Sequence, residues 1–70
     1  MTKTIGERLK EARKKSGMTQ QQVADKAKCD KMTLANYEND RCSPTLDIIA
    51  SIAKVIDVSI DYLVWGDKNV

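Results

Sequence analysis

Among the side chains in this 70-residue chain that could do chemistry, the 12 Lys and Arg are the largest group, and they are unevenly placed. Residues 1–41 hold ten Lys/Arg and six Asp/Glu, a net charge of +4. Residues 42–70 hold two Lys and four Asp, a net charge of −2. The overall charge of +2 hides this polarity. A basic half followed by an acidic half suits a surface that meets a polyanion, although a solvated helical surface carries similar charges. Other chemistry is missing. There is no His, which removes the commonest general base and zinc ligand. Cys29 and Cys42 are thirteen positions apart with no CxxC, which excludes a four-ligand zinc site and a redox pair. No Gly-rich phosphate loop or nucleophile motif occurs, so the expectation is a non-enzyme with no cofactor and no metal.

A chain of 7.8 kDa has room for one small domain, burying roughly three-fifths of its unfolded surface. At 41% hydrophobic and 31% charged, with three Gly and one Pro, it is neither collagen-like nor disordered. No apolar run approaches the ~20 residues that cross a bilayer, and the first ten residues lack an apolar signal segment. A cytoplasmic protein with reduced thiols and no membrane partner is expected.

Apolar residues recur every three or four positions. Ile5, Leu9 and Ala12 make one face of a helix over about 4–16, which Gly17 ends. Thr19 and Gln22 fit a capping box ahead of a second helix, Gln20–Ala27, with Val23, Ala24 and Ala27 inward. Asp30 is a good N-cap for a third, Lys31–Glu38, with Leu34 and Tyr37 inward. Ser43 and Pro44 predict the start of a fourth over about 44–56, with Leu46, Ile49, Ile52, Ala53 and Ile56 as its stripe and Asp57 as its terminal turn. Ser59 caps a last helix ending near Trp65 and Gly66, and residues 67–70 form a tail. The expected fold is all-α: a compact five-helix domain over residues 1–66. Its second and third helices have the spacing of a helix-turn-helix.

The stretches Ile5–Arg13, Gly17–Ala24, Tyr37–Arg41, Ser43–Leu46 and Ile56–Leu63 sharpen that reading. Their residues and order resemble the lambda-repressor-like helix-turn-helix family, which includes phage repressor, Cro and XRE-like regulators. The resemblance runs over about residues 4–66. It implies a transcriptional regulator of repressor type, with double-stranded DNA as partner and the third helix in the major groove. Carried over position by position, the base readers are Lys31, Met32, Thr33 and Asn36. Lys suits guanine O6/N7, Asn suits adenine, and Thr or Met can meet a thymine methyl. The phosphate-binding positions are Gln20, Asn39, Arg41 and Ser43, with Arg13 as a further candidate. Arg13 and Glu38 occupy the positions of an ion pair that ties the first helix to the third.

The chain departs from the family where Lys28, Asp40 and Asp57 stand in place of the usual Gly, although Lys28 has the option of an ordinary conformation. Asp30 brings a negative charge towards DNA. Its carboxylate can accept from cytosine N4, but the cap is its expected role. Cys29 falls at a small apolar turn position and is expected to fill the core. The resemblance further implies a homodimer on a palindromic operator, with half-sites ~34 Å apart. The candidate dimer residues are Ile60, Leu63, Val64 and Trp65. A rival reading is an antitoxin-like or adaptor module that grips another protein. It needs an exposed apolar stripe on the third helix, and Met32 alone points that way.

Overall fold

Five short helices form because hydroxyl side chains start four of them and one turn motif ends four of them. The computed structural model describes residues 3–66, so the expected tail at 67–70 lies outside it. The helices are α1 (Ile5–Lys15), α2 (Gln20–Ala27), α3 (Lys31–Glu38), α4 (Leu46–Ile56) and α5 (Ile60–Trp65). Thr4, Thr19, Thr45 and Ser59 precede α1, α2, α4 and α5 in extended backbone. Each hydroxyl accepts a hydrogen bond from the amide three residues on, which satisfies an otherwise orphan donor. Thr4 with Glu7 and Thr19 with Gln22 complete reciprocal capping boxes.

Two expected caps differ. The α4 helix starts at Leu46 on Thr45, not at Pro44 on Ser43. Pro44 belongs to the approach, and the Thr45 hydroxyl, two residues beyond Ser43, receives the Ile48 amide. Leu46 therefore falls in the first turn at the border of the apolar stripe, and it is exposed rather than inward. Asp30 holds the N-cap position of α3 in extended backbone, but its side chain makes no capping hydrogen bond.

The first four helices each end in a Schellman turn, where a left-handed residue lets the next amide reach back five residues to an orphan carbonyl. The left-handed residues are Gly17, Lys28, Asp40 and Asp57, with φ of 79°, 62°, 59° and 60°. The reaching amides are Met18 to Arg13, Cys29 to Ala24, Arg41 to Asn36 and Val58 to Ala53. A left-handed non-Gly residue costs roughly 1–2 kcal/mol. Lys28 therefore takes the strained geometry, and three of the four turns carry that cost. Cys29 and Val58, which follow Lys28 and Asp57, offset part of it by packing on the core.

Each helix contributes one large, completely buried side chain: Leu9, Val23, Leu34, Ile52 and Leu63. They meet in a single core with Ala12, Ala24, Ala27, Tyr37, Ile49, Ala53 and Ile56. Leu63 thus belongs to the core and is not available to a dimer face, whereas Trp65 at the end of α5 is 70% exposed. Gly6 lets α1 approach the end of α3. A Cβ there would lie 2.4 Å from the Tyr37 carbonyl oxygen and 2.7 Å from that of Glu38.

Candidate nucleic-acid interface

The three residues Lys28–Asp30 join α2 to α3 and leave one face of α3 outward. Leu34, Tyr37 and Glu38 are buried, which turns Lys31 and Met32 to solvent and leaves Thr33 and Asn36 half-exposed. The four base-reading candidates therefore lie outside the core on one helix. Met32 is 70% exposed and is the one large apolar side chain on that surface. Lys31 lines an open cleft of about 380 Å³ with Met18, Thr19, Gln20 and Gln21, beside the amino end of α2. A helix amino end and a cation across a cleft are suited to a phosphate.

The Glu38 carboxylate is the hub behind this surface. Arg13 donates to it twice, Nε to Oε2 at 2.6 Å and Nη2 to Oε1 at 3.2 Å. Gln20 Nε2 donates to the same Oε1 at 3.0 Å. Arg13 Nη1 also donates to the Met18 carbonyl at 3.0 Å. One buried acid therefore fixes the end of α3 against α1 and the start of α2. The ion pair expected from the resemblance is present, and its carboxylate is 1% exposed.

That geometry bears on two expected roles. Arg13 is buried, with donors directed at Glu38 and Met18, so its guanidinium serves as a strut, and the residue also lines the cleft that Lys31 faces. Gln20 commits one of its two side-chain N–H donors to Glu38, and the backbone amides at the start of α2 are a further means of meeting an anion. Asn39, Arg41 and Ser43 are exposed on the loop after α3. Arg41 makes no side-chain hydrogen bond or ion pair among the described residues.

Two polar residues whose partners the sequence did not reveal hold this frame together. Asp40 turns its carboxylate away from the loop to the amino end of α1, accepting from the Gly6 amide and the Thr4 hydroxyl. Its charge meets the positive end of a helix. Arg8 is buried and donates to the Leu63, Val64 and Lys3 carbonyls, closing the last turn of α5. Its position three residues after Ile5, on the apolar face of α1, is the one signal the sequence offered.

Cys29 and Cys42 are free thiols. Burial, and then the neighbouring Asp30 carboxylate, push the Cys29 thiol above its ordinary value. Burial, followed by the two thiols, raises Tyr37, so its hydroxyl stays neutral as part of the core.

With this geometry in hand, comparison with known proteins defines the class. The helix-turn-helix family matches residues 9–63, and the chain belongs to it. The chain is 40% identical over 65 residues to the HTH-type transcriptional regulator ImmR of Bacillus subtilis (strain 168), covering 93% of this chain and 51% of ImmR. It is 34% identical over 61 residues to the immunity repressor protein of Bacillus phage phi105, covering 87% of this chain and 42% of that protein. It spans about half the length of the curated relatives it matches. The crystal structure of the P22 c2 repressor with a synthetic operator superposes with a TM-score of 0.90 at 26% identity, covering 94% of this chain and all of that one. The lambda-repressor-like architecture that the resemblance implied is therefore the one observed.

Proposed function

We propose that this chain is the sequence-specific DNA-binding domain of a transcription regulator, acting as a repressor on a palindromic operator. The observation that carries this reading is the division of α3. One side is locked into the core by Leu34, Tyr37 and the Glu38 hub, and the other presents Lys31, Met32, Thr33 and Asn36. The likeness to an operator-bound repressor supports placing that outer side in the major groove. Lys31 would then take guanine, Asn36 adenine, and Met32 with Thr33 a thymine methyl. The amides that begin α2 and the loop carrying Asn39, Arg41 and Ser43 would hold phosphates on either side. Double-stranded DNA is thus the partner, and the cytoplasm the site of action.

One recognition helix reads few base pairs, so two copies are needed for a long site. Trp65 is the anchor proposed for that dimer, with the half-exposed Ile60 and Val64 beside it. Aromatic residues concentrate binding energy at such interfaces. Selection from random duplexes, repeated at several salt concentrations, tests the proposal. A palindromic consensus whose affinity falls steeply with salt is the expected result. Binding that does not discriminate among duplexes would refute it.

A further inference from the structure

We propose that Asp30 reads a base, selecting cytosine next to the guanine taken by Lys31. This inference rests on the proposed entry of α3 into the major groove. Four helices begin on a hydroxyl engaged with the third amide, whereas Asp30, in the same extended position before α3, makes no such bond. It also makes no ion pair among the described residues, and it is exposed. Aspartate is among the best capping residues, so this carboxylate is a strong acceptor left uncommitted at the head of the reading helix. It is also the one acid among the four exposed or half-exposed residues Asp30–Thr33 that lead the helix into the groove.

A bare carboxylate beside phosphates is repelled, so Asp30 lowers affinity for DNA in general. It gains only where a base edge offers a donor. Guanine shows two acceptors, O6 and N7, and thymine an acceptor and a methyl. Adenine pairs its N6 donor with the N7 acceptor. Cytosine offers the N4 donor alone. A carboxylate therefore favours cytosine and penalises guanine, the reverse of Lys31. Within one C·G pair the cytosine N4 donor lies beside the guanine O6 acceptor. An acid followed directly by a lysine complements that pattern.

The test is duplex selection with the unmodified chain, Asp30→Asn and Asp30→Ala, alongside thermal melting of each. Asn retains capping ability but prefers the adenine edge. The expected result is a consensus in which one cytosine becomes adenine for Asp30→Asn and becomes indifferent for Asp30→Ala, with the other positions kept. Affinity of Asp30→Ala for the original consensus should drop roughly 5- to 150-fold. An unchanged consensus overturns the inference in either of two forms. If both variants bind every duplex more tightly by one factor, Asp30 only repels phosphate. If Asp30→Ala melts lower and reads the same sequence, Asp30 is a cap. An unmodified chain that enriches no sequence overturns the proposed function as well, which separates the two failures.

Discussion

The Asp40 carboxylate spans the amino end of α1, with Oδ1 3.0 Å from the Gly6 amide nitrogen and Oδ2 2.6 Å from Thr4 Oγ1. Asp40 itself has φ +59°, so its bonds to α1 compete with backbone strain of roughly 1–2 kcal/mol. Replacing it with Ala keeps the strain and removes the bonds, and replacing it with Gly removes both. Asp40→Ala should therefore melt below Asp40→Gly by about 4–8 °C, the equivalent of ~1 kcal/mol in a domain of this size. Equal melting temperatures would mean the turn is unstrained. Gly6→Ala should destabilise by about 1–3 kcal/mol despite the better helix propensity of Ala, because its Cβ would collide with backbone oxygens of α3.

The buried Arg13–Glu38 pair sets the largest single-residue cost. Arg13→Ala strands a carboxylate that is 1% exposed, leaving only Gln20 as donor. The expected loss is about 3–5 kcal/mol, a large part of the stability of so small a domain. Lys10 is exposed on the same helix, and Lys10→Ala should stay within about 0.5 kcal/mol. Urea unfolding compares the two directly. Matching midpoints would mean that the Arg13 guanidinium contributes no more than a surface charge.

Local rules made most of this architecture legible. The Thr19 box, the stripe of α4 and the pairing of Arg13 with Glu38 depend on near spacing or on the family pattern, and the structure contains all three. Ser43 misled because two hydroxyl residues two apart compete for one cap, and only the packing of Ile49 and Ile52 decides between them. The long-range bonds of Asp40 and Arg8 were silent for another reason. Asp40 reaches Gly6 and Thr4, and Arg8 reaches Leu63 and Val64, across 34 to 56 residues, where no periodicity reports them. Asp30 looked like a cap because its type and position are right for one. Whether the carboxylate engages depends on its rotamer, which the sequence does not encode.

The two thiols should separate in an alkylation experiment. Burial and the Asp30 carboxylate both favour the neutral form of Cys29, so its thiolate fraction at a given pH is below that of an ordinary Cys. Cys42 is exposed on the loop. Iodoacetamide should modify Cys42 first at neutral pH, and the Cys29 rate should climb only at higher pH, as read by mass spectrometry of the digested chain. Faster labelling at Cys29 would contradict its packing against the core.

Lys31 and Arg41 should divide specificity from grip. Both are exposed cations, but Lys31 stands on the outer face of α3, whereas Arg41 lies on the loop beyond it. A side chain at a base edge discriminates by about 1–3 kcal/mol at one position, whereas one at a phosphate strengthens every sequence alike. Lys31→Ala should therefore relax the preference for guanine at one position per half-site. Arg41→Ala should weaken binding to all duplexes by a similar factor and flatten the log–log salt slope by about 0.9 for each phosphate it no longer neutralises. The selected consensus and the salt slope are independent readouts. If both variants relax the same base position, the loop also lies in the groove. If both only flatten the slope, α3 rests on the backbone, and the outward face of Met32, Thr33 and Asn36 does not determine which sequence is bound.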